Sequence, residues 1–210
     1  TAAEMLESAV SDIEFDNGDF KIVGTDRVVP FRSVAENAAG ENSVAFDEKE
    51  TFAPEEATYP NGTHVCELEI DMATGEIELV DYTVVDDFGR VINPLLLEGQ
   101  VHGGIAQGLG QAILESCQYE SGSGQLLSAS FMDYTMPRAD DFPAIRFKRN
   151  EVPCETNPLG IKGAGEAGAI GAPPAIVNAI VNALSDHGIR HVDMPVSPNK
   201  VWNILQNVSA

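Results

Sequence analysis

A single carboxylate stands in a glycine-rich stretch that runs from residue 157 to residue 184. Glu166 is the only acidic side chain there, and its neighbours are mostly Gly, Ala and Ile. Glycine lets the backbone come very close to another group, so the amides of this loop can face a ligand. A carboxylate in such surroundings loses solvation unless a cation reaches it, and Lys162 is the nearest in sequence. These surroundings are typical of a general base.

The same residue has a structural interpretation. Apolar side chains with helical spacing follow the glycines, and they predict a helix that begins at Pro173 and stops at Gly188. An acidic side chain ahead of a helix is favourable simply because of the helix dipole. Spacing therefore leaves both roles of Glu166 open.

Residues 163–168 also match the dinucleotide fingerprint G-x-G-x-x-G, with Asp193 at a suitable distance. That fingerprint needs a buried strand before it and a helix that opens at the glycines. Pro158 interrupts any such strand, the helix is predicted only at Pro173, and Glu166 would face the pyrophosphate. The context argues against a dinucleotide site.

A second candidate stretch covers residues 99–115, GQVHGGIAQGLGQAILE. Its apolar residues recur every four positions and predict a helix with one buried stripe, formed by Val101, Ile105, Leu109 and Ile113. Each glycine in a helix interior costs about 0.5 to 1 kcal/mol relative to alanine, so something must approach the face of Gly104 and Gly108. That neighbour is either another helix or a ligand contacted by Gln100, His102 or Gln107. His102 is interpreted as a hydrogen-bonded structural histidine.

The remaining patterns predict an α+β fold of antiparallel hairpins packed with a few helices. Hairpins are predicted over residues 12–23, around Asn17-Gly18, and over residues 64–85. Asp86-Asp87 is predicted to form a polar turn and not a cation site, because neighbours on a strand point to opposite faces. The other predicted elements are an amphipathic helix over 2–10, a helix capped by Ser33 that stops at Gly40, an irregular segment over 41–60, strands at 128–132, 145–148 and 190–192, and a C-terminal helix capped by Ser197 with Val201, Trp202 and Leu205 buried.

Composition limits the partners and the compartment. The 210 residues include 12 basic and 33 acidic side chains, and the net charge of -21 argues against nucleic acid and anionic membrane surfaces. The three cysteines are far apart and predict neither a disulfide framework nor an iron-sulfur or zinc site, so we expect no metal ligands from this chain. No apolar run approaches the roughly 20 residues of a membrane span. We expect a cytoplasmic protein, and a fragment, processed chain or split subunit because Thr1 begins inside a helical pattern.

Four ordered motifs resemble the C-terminal part of the molybdenum-binding large subunit of the xanthine dehydrogenase and aldehyde oxidase family. The resemblance is greatest to its carbon monoxide dehydrogenase-like members. The motifs are residues 86–115, 132–143 and 157–180 and the closing SPNKVWNIL, and the resemblance covers nearly all of the chain. It implies the C-terminal portion of a molybdenum-cofactor-binding domain over residues 1–210, either undivided or subdivided into 1–60 and 61–210.

The resemblance also implies site residues. Glu166 matches the family's catalytic glutamate, a base beside the molybdenum, and Gln100 matches a glutamine near the pterin. The loop that approaches the cofactor is matched by Lys162, Gly163, Ala164 and Gly165. The implied function is oxidation of an aldehyde, an N-heterocycle or carbon monoxide with water as the oxygen source. The alternative is a non-catalytic assembly module of such a complex, inactive alone.

The implied cofactor is molybdopterin with molybdenum, in its cytosine dinucleotide form. Electrons would leave through 2Fe-2S and FAD centres in partner subunits, for which this chain has no ligands. The implied partners are the remainder of the molybdenum subunit, the iron-sulfur and flavin subunits, and a small-molecule substrate. The family motifs that shape the substrate pocket do not occur in this chain.

Overall fold

The computed structural model describes residues 1–39, 49–54 and 56–208. It separates into two compact units, Thr1–Ala53 and Pro54–Ala210. The predicted helix stop at Gly40, and residues 41–48 and 55 of the segment predicted to be irregular, lie outside the described residues.

The first unit is a three-stranded antiparallel sheet with two short helices. Its elements are α1 (Ala2–Leu6), β1 (Ile13–Asp16), β2 (Asp19–Ile22), β3 (Val28–Pro30) and α2 (Phe31–Ala39), with strand order β1-β2-β3. The predicted hairpin is confirmed, since Asn17 and Gly18 connect β1 to β2 with φ values of 49° and 91°. Positive φ at both central residues suits the right-handed twist of the paired strands. Leu6, Val29 and Val34 form the buried centre of this unit.

Two helix predictions in this unit were wrong in their boundaries. Glu7 adopts a left-handed conformation that ends α1, and Val10 beyond it is 80% exposed. Ser33 lies inside α2, which begins at Phe31, so it does not cap the helix.

The second unit contains a sheet with strand order β4-β5-β6, in which β4 spans Asn61–Ile70, β5 spans Ile77–Asp87 and β6 spans Ile145–Arg149. The long hairpin of β4 and β5 is confirmed, and its alternation places His64 and Cys66 on the less exposed face. The predicted edge strand is also confirmed, and it pairs with β5 in parallel. The fold is α+β, as predicted.

Three longer helices complete this unit: α3 (Pro94–Leu109), which continues as a π-helical turn over Gly110–Leu114, α4 (Ala167–Ala183) and α5 (Pro198–Val208). Helix α4 packs against both α3 and β4. The predicted apolar stripe of α3 is buried. An added Cβ at Gly104 of α3 would lie 2.9 Å from the amide nitrogen of Ala169 on α4, and one at Gly108 would lie 2.7 Å from the Cβ of Ala172. The neighbour that the glycines of α3 accommodate is therefore a helix.

The start of α4 corrects the sequence-based prediction. The helix begins at Ala167 and contains Pro173 and Pro174 in its interior. A proline there normally costs about 3 kcal/mol, and burial of Pro173 against Gly108 of α3 offsets part of that cost. Because the helix does open at the glycines, that objection to a dinucleotide site was wrong. The argument from the missing strand holds, since residues 150–160, directly before the glycines, form no strand.

In the second unit, two predicted strands are absent and the predicted C-terminal helix is present. The strands predicted at 128–132 and 190–192 were wrong, because these residues form turns, bends and irregular backbone. The C-terminal helix begins at Pro198 as predicted, and the Ser197 hydroxyl accepts a long hydrogen bond of 3.4 Å from the amide of Lys200. Its buried residues include Val201 and Leu205, whereas Trp202 is 40% exposed.

Candidate functional site

The loop over residues 157–166 is held against the end of β5. The amide of Lys162 donates to the carbonyl of Phe88 at 2.9 Å, and the amide of Arg90 donates to the carbonyl of Gly160 at 2.8 Å. These backbone bonds fix the first half of the loop.

Two further features lock the same segment. The side chain of Asn157 both donates to the carbonyl of Ile161 at 2.9 Å and accepts its amide at 3.1 Å. Gly89 has a φ of 65°, and an added Cβ there would lie 2.2 Å from the carbonyl oxygen of Gly160. Only glycine permits this approach.

The ammonium of Lys162 is used inside the chain. It lies 2.5 Å from Oδ2 of Asp87, while Oδ1 accepts the amides of Gly89 at 2.8 Å and Val152 at 3.0 Å. Burial raises the pKa of Asp87, but the hydrogen bonds from Lys162, Val152 and Gly89 outweigh it and hold the pKa below its ordinary value. The cation nearest to Glu166 in sequence is therefore neutralised by another carboxylate.

The turn predicted at Asp86-Asp87 was wrong, because both residues end strand β5 and are buried. Oδ1 of Asp86 lies 3.5 Å from Nε2 of His64, whose Nδ1 is 2.8 Å from the hydroxyl of Tyr82. The other oxygen of Asp86 is buried and has no hydrogen-bond partner among the described residues. Burial, followed by Cys66 and Asp86, raises the pKa of Tyr82 far above its ordinary value, so its hydroxyl stays protonated.

Glu166 is the N-cap residue of α4, but its side chain accepts no hydrogen bond from the first helical turn. Its carboxylate is exposed and makes no ion pair within the described ranges. The expected loss of solvation was thus wrong for this chain by itself, because no other part of the described chain covers the loop. The position still places a negative charge where the helix dipole favours it.

Gln100 of α3 reaches the loop directly, donating its side-chain amide to the carbonyl of Gly165 at 2.9 Å. The amide of Gly163 donates to the hydroxyl of Thr58 at 3.3 Å, and Ala164 packs at the edge of the core. The structure thus brings Gln100 to the second half of the loop that carries Glu166.

Two of the loop glycines face open space. An added Cβ at Gly163 or Gly165 would meet nothing within 4 Å, and neither residue has a positive φ. Neither packing nor backbone conformation within the described chain requires glycine at these positions. Together with amide and carboxamide donors beside one carboxylate, this open face fits a large polar ligand that approaches the backbone closely.

A cleft of about 230 Å³ runs along the first turns of α4. Its walls include Tyr59, His64, Asp86 and Ile170. Ala167, which follows Glu166 directly, also lines this cleft.

His102 and Gln107 of α3 were the other side chains that the sequence offered as ligand contacts. The prediction that His102 is hydrogen bonded was wrong, since its Nε2 is buried and no described residue bonds to it. Gln107 is exposed. Within residues 1–39, 49–54 and 56–208, no three His, Cys, Asp or Glu side chains group together as metal ligands, and no helix is long and apolar enough to cross a membrane.

An α+β unit whose glycine loop stands open beside a carboxylate and a carboxamide belongs to the class of cofactor-binding domains. Residues 1–143 match the family described as the molybdopterin cofactor-binding domain, and the chain belongs to that family. The match includes Gln100 and ends before Glu166.

Relatives extend the likeness over the whole chain. The chain is 35% identical over 99% of its length to the 6-hydroxypseudooxynicotine dehydrogenase complex subunit gamma of Paenarthrobacter nicotinovorans. It is 32% identical over 98% of its length to the carbon monoxide dehydrogenase large chain of Hydrogenophaga pseudoflava. It covers 27% and 26% of these relatives.

The fold is shared with a solved structure. The quinoline 2-oxidoreductase of Pseudomonas putida 86 is 33% identical, with a TM-score of 0.82 over 98% of this chain and 27% of that one. The predicted relationship to carbon monoxide dehydrogenase-like molybdenum subunits is confirmed. The chain spans about a quarter of the length of the relatives it matches.

Sequence patterns missed three residues of this region: His64, Asp86 and Asp87. The alternation along β4 places His64 on the inner face, which is the only local signal for it. Nothing in the sequence pairs Asp87 with Lys162, because 75 residues separate them.

Proposed function

We propose that this chain is the C-terminal part of the molybdenum-binding subunit of a hydroxylase that oxidises an aldehyde, an N-heterocycle or carbon monoxide with water as the oxygen source. The observation that carries the proposal is the open glycine loop, which is held at its base by β5 and reached by Gln100. The loop presents Glu166, whose carboxylate makes no ion pair with any residue that the structure describes. Membership of the molybdopterin cofactor-binding family supplies the identity of the ligand.

The residues of the open face would hold the cofactor. The backbone of Gly163, Ala164 and Gly165 can be approached closely by a ligand, while the amide of Gly163 and the carbonyl of Gly165 are bonded to Thr58 and Gln100. Gln100 adds a carboxamide that is already oriented by its bond to Gly165. Lys162 contributes by fixing the loop through its bond to Asp87. When bound, the molybdenum centre supplies the two-electron redox chemistry.

Glu166 is the proposed base. Its carboxylate accepts a proton from the water-derived nucleophile and releases it after the carbon is oxidised, which is the ordinary contribution of general base catalysis. Charge neutralisation of Lys162 by Asp87 leaves this carboxylate without a competing cation from the loop. The apolar walls of the adjacent cleft, Tyr59 and Ile170, would contact the body of a substrate.

The wider assembly is part of the same proposal. The cofactor is taken to be the cytosine dinucleotide form of molybdopterin, and 2Fe-2S and FAD centres are assigned to partner subunits beside the remainder of the molybdenum subunit. Free Cys66, Cys117 and Cys154 support a reducing, cytoplasmic location.

The test is replacement of the base in the assembled enzyme. Glu166→Gln keeps the shape of the side chain and removes its basicity, so kcat should fall by about 10² to 10⁴ while molybdenum and pterin contents stay at the wild-type level. Glu155→Gln changes an exposed carboxylate of the same region and is the matched control. A loss of less than about tenfold for Glu166→Gln would remove the assigned role.

The second candidate, a non-catalytic assembly module, is favoured by the exposure of Glu166 in this chain. Metal and pterin analysis of the complex that contains the chain separates the two. Molybdenum and pterin in a complex that turns over support the enzyme. A complex that assembles without either supports the module.

A further inference from the structure

We propose that the consecutive carboxylates Asp86 and Asp87 form a positioning pair that holds the two flanks of Glu166 from a single strand end. The positioning of the backbone rests only on contacts within the chain. Its consequence for turnover rests on the proposed function of Glu166.

The two carboxylates act in different directions because of strand geometry. Successive side chains of a β-strand point to opposite faces. Asp86 and Asp87 end β5 and are only 2% and 8% exposed, so each is buried on its own side of the strand. One strand end thus presents two charged anchors to two different segments.

Asp87 holds the segment before Glu166. Its contact with Lys162 is a buried ion pair, and Lys162 is four residues ahead of Glu166. The same carboxylate accepts the amides of Gly89 and Val152, so the strand end and two loops meet on one side chain. Replacing it would release the base of the glycine loop.

Asp86 holds the segment after Glu166 through His64. Nδ1 of His64 lies 2.8 Å from the hydroxyl of Tyr82, and it accepts the hydroxyl proton when the imidazole proton is on Nε2. Nε2 then faces Oδ1 of Asp86 at the longer distance of 3.5 Å. The imidazole then packs on Gly171, where an added Cβ would lie 2.5 Å from Nε2. Gly171 is five residues after Glu166, in the first part of α4.

The unpartnered oxygen of Asp86 favours this role over simple packing. A buried acceptor without a partner is costly, and an apolar side chain at the same place would avoid the cost. The carboxylate does, however, orient His64, which an apolar side chain cannot do. Between the two anchors, residues 163–166 are held by single hydrogen bonds to Thr58 and Gln100 and by packing of Ala164, and the buried anchors on either side add to these contacts in fixing the position of Glu166.

The test is segment-resolved hydrogen exchange of the assembled enzyme, measured by mass spectrometry. Asp87→Asn should raise exchange in peptides covering 157–166 by about tenfold or more and leave 172–183 unchanged, because local opening is measured segment by segment. Asp86→Leu removes both oxygens that can accept from His64, so it should raise exchange in peptides from the first turns of α4, over 167–175. Asp81→Asn is the matched control, since it breaks an exposed pair with Arg146 on the same strand and should leave both segments unchanged.

Turnover gives the second measurement. Both variants at the strand end should lower kcat by about tenfold or more with KM within about threefold, at wild-type molybdenum content, because small displacements of a catalytic group cost this much. If an aspartate variant fails to fold, Lys162→Met and His64→Gln break the same contacts from the other side. Exchange that rises equally everywhere, or in neither segment, would overturn the positioning pair.

The two proposals fail in distinguishable ways. If exchange rises in the expected segments but Glu166→Gln retains turnover, the proposed function fails and the positioning of the backbone stands. If Glu166→Gln abolishes turnover while Asp86→Leu and Asp87→Asn leave kcat at the wild-type value, the positioning pair is overturned.

Discussion

The crossing of α3 and α4 depends on a glycine, so we expect Gly168→Ala to destabilise the protein. An added Cβ at this position would lie 2.5 Å from the carbonyl oxygen of Val101 and 2.8 Å from the amide nitrogen of Ile105. Both atoms belong to the backbone of α3 and cannot rotate away. Since ordinary contacts are about 3.5 Å or longer, the helices would have to separate by about 1 Å.

The magnitude follows from two opposing effects. Overpacking of this kind costs about 1 to 3 kcal/mol, whereas alanine is more favourable than glycine in a helix by about 0.5 to 1 kcal/mol. Taking the midpoints, a cost of about 2 kcal/mol less a gain of about 0.75 kcal/mol leaves a net loss of about 1.2 kcal/mol. For a chain of this size, each kcal/mol lowers Tm by about 2 to 4 °C, so Tm should fall by about 2 to 5 °C.

The assay is thermal unfolding of the 210-residue chain followed by circular dichroism. Gly103→Ala is the control. Gly103 lies in α3, the helix that Gly168 contacts, but an added Cβ at Gly103 meets no described atom within 4 Å. We expect that variant to melt at or above the wild-type temperature. A Tm for Gly168→Ala that equals or exceeds the wild-type value would refute the close crossing as the reason for glycine.

Lys162→Met leaves the buried Asp87 carboxylate without its ion-pair partner, so the free energy of unfolding in urea should fall by about 3 to 5 kcal/mol. Arg146→Met breaks the more exposed pair with Asp81 and should lower it by about 1 kcal/mol or less. Equal losses in the two variants would contradict this difference. Burial raises the pKa of Asp87, but its hydrogen bonds outweigh burial and lower that pKa overall. The ionised carboxylate therefore stabilises the folded protein above the ordinary carboxyl pKa of about 4, and this stability is lost as pH falls through the lower pKa of the folded state. Unfolding measured between pH 7 and pH 2 should therefore show a loss that Lys162→Met reduces, and superimposable profiles would count against it. Burial, followed by the charge of Asp81, raises the pKa of Cys66 to about 11, whereas a hydrogen bond from a neighbouring threonine lowers that of Cys154. Mass spectrometry after iodoacetamide at pH 8 should find Cys154 modified before Cys66, and the reverse order would disprove the assignment.

Sequence patterns predicted the elements whose signals are local. The Asn17-Gly18 turn, the alternation along β4 and the apolar stripe of α3 each follow from a few consecutive residues, and the structure confirms all three. The start of α4 was mispredicted, because packing of Pro173 against α3 overrides the ordinary preference of proline for the first turn. Packing between distant segments is not visible in local patterns.

The sequence by itself determined the kind of loop this protein has, and that a lone acid stands in it. Those are properties of residue type, since glycine permits close approach and a carboxylate can take a proton. Only the tertiary structure decided that Lys162 is paired with Asp87, that Gln100 contacts Gly165, and that His64 packs on Gly171. These contacts join residues that are far apart in the chain, and their energies depend on burial and distance, which exist only once the chain is folded.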